Sequence, residues 1–353
     1  MASDRMMEYY YHMGQDALHR EDLDEAVAYF RKAANLGAHE AAHEICVIAH
    51  RLETGDRTEK DEEKASQYYR LSADFGIMEA NLLLGKLYLR GINGNRPHPR
   101  KAKRALEKAS DGGNLEATIL LAKIYDEGLT GHVLPGKAFT YYLLAAERGD
   151  TSSMLMTGLF YAEGTTVEKD LEKAERWIRK GVSLGDADGK NTLRRFLSIA
   201  AAEYVNGSKG SVDHDKAWAM AKEADELGDR DAFFRLGKAY QGSTQTTLHA
   251  EKAFLCFKKA AEKDLPAAWS QLGLCYDAGL GTEADPKEAA KYYKKAAEAA
   301  DPFGMTHYGC ALAAGQGVQQ NKTEAMSWLI KAAMAGDQGA LLILREDFGY
   351  ELH

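Results

Sequence analysis

Four side chains near the amino end have the types and spacing to hold a metal ion. His39, His43, Cys46 and His50 follow one another at intervals of four, three and four residues, which is one stripe of an α-helix. Imidazole and thiolate are competent zinc ligands. Against this, ligands on one straight helix rarely close a tetrahedral site unaided. His39 is expected just before the helix, and Cys46 falls in phase with a packing position described below. No metal site and no cofactor are therefore expected, while His43 and His50 remain candidates for a binding face. Other catalytic patterns are missing: no serine has lysine three residues later, and there is neither a Gly-x-x-x-x-Gly-Lys-Ser/Thr loop nor a His-Glu-x-x-His pair. The cysteines, Cys46, Cys256, Cys275 and Cys310, show no paired spacing, and none has histidine beside it in sequence. Free thiols in a reducing compartment, and no enzymatic role, are the expectation.

The elements that carry these residues are helices. The chain has 353 residues with 33 glycines but 6 prolines, a balance that suits long helices punctuated by glycine. Its length exceeds one ordinary core, so several domains or a repeat array is expected. The net charge of −8 argues against a general nucleic-acid binder. One basic run departs from it, from Arg96 and Arg100-Lys101 through Lys103, Arg104 and Lys108, and reads as a loop followed by a solvated helix face. No stretch approaches the ~20 apolar residues of a membrane span. Residues 1–14 lack the apolar core of a signal peptide, so a cytoplasmic protein is expected, with a leaderless secreted effector as the alternative.

A small residue recurs on alternate helices as Gly14, Cys46, Gly85, Ala122, Gly158, Ala201, Gly237, Gly273 and Gly309, the last three steps each spanning 36 residues. A second small position follows as Ala33, Ser72, Ala109, Ala145, Gly181, Ala224, Ala260, Ala296 and Ala332. Two helices can approach closely at such points, and bulk there would force them apart. Tyrosines at 88, 125, 161, 204, 240 and 276 lie three residues after the first small position and are expected to fill the space between the helices. Trp177, Tyr292 and Trp328 are expected to do so from the second helices. Asp22-x-x-Glu25, Asp285-Pro-x-Glu288 and Asn321-x-x-Glu324 read as helix starts. Glycines at 37, 76, 113, 149, 185, 228 and 336 read as left-handed stops. Asp264 and Ala300 replace glycine in two units, and the turn at Ala300 is expected to differ.

This pattern resembles the Sel-1-like repeat family, relatives of the tetratricopeptide repeat. The resemblance rests on small-x2-Tyr-x2-Gly, then Lys-Ala-x2-aromatic and Lys-Ala-Ala-x2-Gly in phase over roughly residues 41–340, with Met6–Ala38 looking closer to a plain tetratricopeptide repeat. It implies an all-α fold: a right-handed α/α superhelix (solenoid) of about nine helix-turn-helix repeats plus a C-terminal capping helix. The expected divisions are an amino-terminal capping repeat at 1–40, repeat blocks at 41–188 and 189–340, and a cap at 341–353. The step from Gly158 to Ala201 is 43 residues, so an extended first helix or a hinge is expected near 187–196.

Members of the family are solenoid adaptors. The resemblance therefore implies a scaffold that holds a protein or peptide in a concave groove lined by first helices. A bacterial effector or toxin-immunity protein using the same groove is the alternative, and a metal-binding sensor or an enzyme ranks below both. Some secreted cysteine-rich members have been linked to penicillin binding, but the missing Ser-x-x-Lys speaks against that chemistry here. If the small residue and the tyrosine mark the packed side, the positions two or three before the small residue, and one, four and five after it, should face the groove. These include His43, Val47, His50 and Arg51, then Leu82, Lys86, Leu89 and Arg90. Next come Ile119, Lys123, Asp126 and Glu127, then Leu155 and Leu159. Phe234, Lys238 and Gln241 follow, and finally Ser270, Leu274 and Asp277. No oligomeric state and no partner identity follow from the residues.

Overall fold

The computed structural model describes residues 2–207, 212–243 and 246–350, so the last three residues of the expected cap lie outside it. Among the described residues the ordered elements are helices, without a strand. The chain forms two compact units, Met1–Asp186 and Ala187–His353.

The first unit consists of five antiparallel pairs. They are α1 (Ala2–His19) with α2 (Leu23–Asn35), α3 (His39–Thr54) with α4 (Glu62–Asp74), and α5 (Met78–Arg90) with α6 (Pro99–Asp111). Then come α7 (Leu115–Asp126) with α8 (Pro135–Glu147) and α9 (Thr151–Glu163) with α10 (Leu171–Ser183). The second unit has four pairs and a terminal helix. These are α11 (Gly189–Asn206) with α12 (His214–Glu226), α13 (Ala232–Gly242) with α14 (Thr247–Ala261), and α15 (Pro266–Ala278) with α16 (Pro286–Glu298). The last pair is α17 (Pro302–Ala314) with α18 (Lys322–Met334), and α19 (Gln338–Phe348) follows, burying Ala340 and Leu344 against α18.

The pairs form where the small residues permit. All nine residues at the first small position are buried, as are all nine at the second. At the glycines, a large apolar residue of the second helix fills the space that a Cβ would take. Phe30 lies opposite Gly14, Leu106 opposite Gly85, Ile178 opposite Gly158, Phe257 opposite Gly237 and Leu329 opposite Gly309. Trp177, Tyr292 and Trp328 precede three such contact positions by one residue, about 100° round the helix. They are half-buried rather than filling the cleft. Tyr292 stacks on Tyr276 (centroids 5.7 Å apart) and Trp328 meets Tyr308 edge-on at 5.9 Å. Of the first-helix tyrosines, Tyr88, Tyr125 and Tyr240 are buried, whereas Tyr161, Tyr204 and Tyr276 are half-buried. The backbone carbonyl at this position also closes the loop. The residue capping the second helix donates its amide to it, as in Asp170 to Tyr161, Asp213 to Tyr204 and Asp285 to Tyr276.

The caps follow the expected chemistry. The side chains of Asp22, Asp285 and Asn321 accept from the amides of Glu25, Glu288 and Glu324. The turn at Ala300 does not differ. Ala300 has φ +65° and Asp264 has φ +55°, as left-handed as the glycines elsewhere. The amide of Ala300 bonds Ala297 and that of Asp301 bonds Ala296, each at 3.0 Å, so the surrounding contacts impose the geometry against alanine's preference. Ala300→Gly is therefore expected to stabilise the second unit by about 1 kcal/mol, read as a rise of about 2–4 °C in its thermal midpoint. A fall in the midpoint would show that the flexibility glycine adds to the unfolded chain outweighs the strain relieved.

The seven extra residues between Gly158 and Ala201 lengthen α11 to 18 residues, where α9 has 13, and widen the preceding turn from three residues to five. The long step thus contains an extended first helix.

Candidate functional site

Of the residues assigned to the first-helix face, His43, His50, Arg90, Lys123, Glu127 and Lys238 are exposed. Arg51, Lys86, Asp126, Leu159, Phe234 and Asp277 are half-buried, and so are Val47, Leu89, Ile119, Gln241 and Leu274. Leu82 and Leu155, at 7% and 5% exposure, do not face outward, nor does Ser270. All three sit three residues before the small position. That offset lies only about 60° from the small residue round the helix, at the edge of the packed arc, where His43, Ile119 and Phe234 stay at least partly exposed. Leu82 packs with Leu106, Ala117 and Leu121, and Ser270 donates to Asp301 at the start of the next first helix. The offset two before the small residue points outward instead. It gives half-buried Leu83 and Met156 and, on α11, Ile199 at 59% exposure. The sequence pattern could have found Ile199, since it holds the same offset from Ala201.

Several face residues tie one repeat to the next. His43 Nε2 lies 3.9 Å from Glu79, and Lys86 Nζ lies 2.5 Å from Glu116, each acid being the second residue of the following first helix. In the second unit Gln241 donates to Gln271 at 3.1 Å, and Gln316 donates to Asp277 at 2.9 Å. Asp126 accepts from Tyr142 at 3.2 Å, and Phe234 lies against Phe257.

A buried ionic cluster was not foreseen. Glu53 and Glu62 are 9% and 3% exposed, and one terminal nitrogen of Arg90 lies 3.1 Å from the first and 2.9 Å from the second. Lys60 also reaches Glu62 at 2.9 Å, and the Asn93 amide donates to it at 2.5 Å. Tyr69 donates to Glu53 at 2.6 Å, leaving its oxygen to accept from His50 Nδ1 at 3.2 Å. The Lys60 hydrogen bond is the chief reason that the Glu62 carboxyl sits below its ordinary range. Arg90 and His50 therefore join α3, α4 and α5 into one network. The missed signal was an acid at the end of one helix and another at the start of the next, with arginine in phase one repeat later.

Catalytic chemistry finds little support in the thiols. Burial raises Cys46 to about 12, Cys256 to about 12 and Cys275 to about 11, and raises Cys310 as well, so the nucleophilic thiolate is disfavoured at each. Cys310 does share a small cavity of about 40 Å³ with His307 and Asp277, a grouping invisible in the linear sequence. Burial lowers His307, which stacks on Tyr293, and nearby acids push Cys310 further up. His39 is the first residue of α3 rather than preceding it. Among the described residues no three histidine, cysteine or acidic side chains converge as metal ligands. Among them, too, no helix is long and apolar enough to cross a membrane.

The Sel1 repeat family model matches residues 1–37, 39–74, 79–114, 115–150, 151–186, 231–265, 267–301 and 302–337. The chain belongs to the Sel1 repeat family. The match includes the first pair, which the sequence had set nearer to a plain tetratricopeptide repeat, and omits α11–α12, the pair with the lengthened helix. Sel1 repeat proteins are generally protein-interaction scaffolds. A segment of 164 residues, 46% of the chain, is 33% identical to chitin synthase regulatory factor 1 of Schizosaccharomyces pombe. A segment of 71 residues, 20% of the chain, is 31% identical to DAP3-binding cell death enhancer 1 of Rattus norvegicus. These matches span 27% and 14% of those two proteins. Solved structures with similar repeats include a Sel1 repeat protein from Oxalobacter formigenes, 25% identical, TM-score 0.47, covering 90% of this chain and 88% of that one. A protective antigen of uropathogenic Escherichia coli is 23% identical, with TM-score 0.46, 98% of this chain and 73% of that one covered.

Proposed function

We propose that the chain is a non-enzymatic scaffold that holds a partner protein, or a segment of one, along the exposed face of its first helices. The observation that carries the reading is the composition of that face once Leu82, Leu155 and Ser270 are removed from it. Arg51, Lys123 and Glu127 have no ionic partner among the described residues, and they alternate with partly exposed Val47, Leu89, Ile119 and Leu159. Folding does not require apolar groups there, and such groups bordered by unpaired charges suit a protein segment anchored by a few side chains and registered by charge. In the second unit Ile199, Phe234 and Lys238 offer the same mixture.

Charge reversal at Arg51 and Lys123 together is the appropriate test, because Arg90 is committed to the buried cluster and Lys86 to Glu116. Capture of cross-linked partners from the native cell is expected to fall about tenfold relative to the unaltered chain, with helicity and thermal midpoint preserved. Capture that survives both this change and Phe234→Ala would place the partner elsewhere.

A further inference from the structure

The basic run is a loop followed by a solvated helix face, as the sequence suggested, and that face borders a trough. Residues 96–108 carry six cations, Arg96, Arg100, Lys101, Lys103, Arg104 and Lys108, against the single acid Glu107, in a chain of net charge −8. In the structure the outer side of α6 borders an open trough of about 370 Å³ between α4 and α6, floored by α5. Four cations line it, Arg70, Lys101, Arg104 and Lys108, with Asp74 the one acid. Ala73, Leu84 and Ala105 make most of its floor apolar, with the Asn81 carboxamide among them. Tyr88 sets its rim: Arg70 donates to the Tyr88 hydroxyl at 2.8 Å, and Lys101 Nζ lies 5.6 Å from the ring centroid. Arg104 also borders a second depression of about 350 Å³, lined by Arg100, Lys103 and Glu107 and reaching Thr130 beyond α7. Glu107 is matched with Lys103 at 3.7 Å, whereas Arg100, Arg104 and Lys108 are exposed and have no acidic partner among the described residues.

We infer that this trough is a docking site for an acidic peptide segment of a partner protein, one with an aliphatic or aromatic side chain among its carboxylates. The unpaired cations repel one another, and the placement of Arg100 in the first turn of α6 opposes the helix dipole. Bound carboxylates offset both costs. The apolar floor accepts an uncharged side chain, which a sugar-phosphate backbone does not supply. From Arg100 to Lys108 the basic face of α6 is about 12 Å long, enough for a short peptide. A nucleic acid continuing past it would meet the acidic remainder of the chain. The cations of this surface all lie on second helices, and Leu84 and Tyr88 are not among the outward-facing first-helix residues, so its failure leaves the first-helix reading untouched, and the reverse also holds.

The test uses the full chain and a fluorescein-labelled peptide of about ten alternating Glu and Leu residues, with binding read by anisotropy. The unaltered chain is expected to bind it and to lose affinity as salt rises from about 50 to about 300 mM. The triple variant Arg100→Glu, Arg104→Glu, Lys108→Glu should bind at least about tenfold more weakly with unchanged helicity. The Arg51→Glu, Lys123→Glu variant should bind as the unaltered chain does. Absence of binding to the unaltered chain, or equal binding by the triple variant, would overturn the assignment. So would a single-stranded oligonucleotide of equal charge that displaces the peptide at equal or lower concentration, since the trough would then favour nucleic acid. A poly-Glu peptide binding as tightly as the Glu-Leu peptide would remove the apolar anchor and with it the proposed partner class.

Discussion

Gly273→Leu is expected to destabilise the Ala187–His353 unit by about 3 kcal/mol or more, lowering its thermal midpoint by about 6–12 °C. Gly273 lies in the middle of α15, where a Cβ would come within 2.5 Å of the Tyr293 ring on α16. That ring is buried among Ala289, Ala297 and Tyr308, and the cavity of about 40 Å³ that it borders with His307 and Cys310 is too small to take it. Both helices are fixed by their other neighbours, and relief must come from separating the pair. Ala296→Leu tests the joint between pairs in the same way, since Ala296 faces Gly304 of α17 across a gap without room for one further carbon. A control at exposed Lys294→Leu should leave the midpoint nearly unchanged. Unaltered midpoints for both core variants would mean that these helices do not touch where the small residues recur.

The repeat was legible because its cause is local and periodic. Two close helices need a small residue at a fixed phase, and a chain that stacks nine pairs must repeat that demand. The caps were legible for the same reason, since Asp22, Asp285 and Asn321 act on amides three residues away. Ala300 was misread because propensity was allowed to decide a turn that the helices on either side had already set. The three aromatics Trp177, Tyr292 and Trp328 were misplaced by one residue, a small error in sequence and a large one in direction.

The candidate face was legible only in part. A helix has no sharp boundary between its packed and open arcs, and the residue three before the small position lies on that boundary. In a solitary pair Leu82 could face solvent; the following pair covers it through Ala117 and Leu121. Single-helix geometry cannot register this, because the burial is contributed by a neighbour more than thirty residues on. The Glu53–Arg90–Glu62 cluster shares the difficulty, since three helices must be in place before its carboxylates meet.

Arg90→Glu is expected to cost the Met1–Asp186 unit about 3 kcal/mol or more near neutral pH. The substitution removes the guanidinium that lies between two nearly buried carboxylates and puts a third carboxylate beside them. Lys60, attached to Glu62 from the solvent side, balances only one of the three. Arg90 itself is more than half exposed, which keeps the cost below that of a fully enclosed pair. Arg90→Lys should recover much of the loss, because a single arginine nitrogen serves both acids and a lysine nitrogen can stand near the same point. The pH dependence separates this cause from lost packing. In the unaltered chain Glu62 titrates below its ordinary value of 4.5, so its stabilising contribution is complete above that value and disappears as pH falls through the lower folded value. In Arg90→Glu, repulsion among the acids raises their affinity for protons, so acid relieves the damage. Urea denaturation of the two proteins should therefore give stability curves far apart at pH 7 that converge as the solution falls below about pH 4.5. A constant gap across that range would assign the loss to the packing of the arginine stem and remove the ionic cluster from the account of how these three helices are joined.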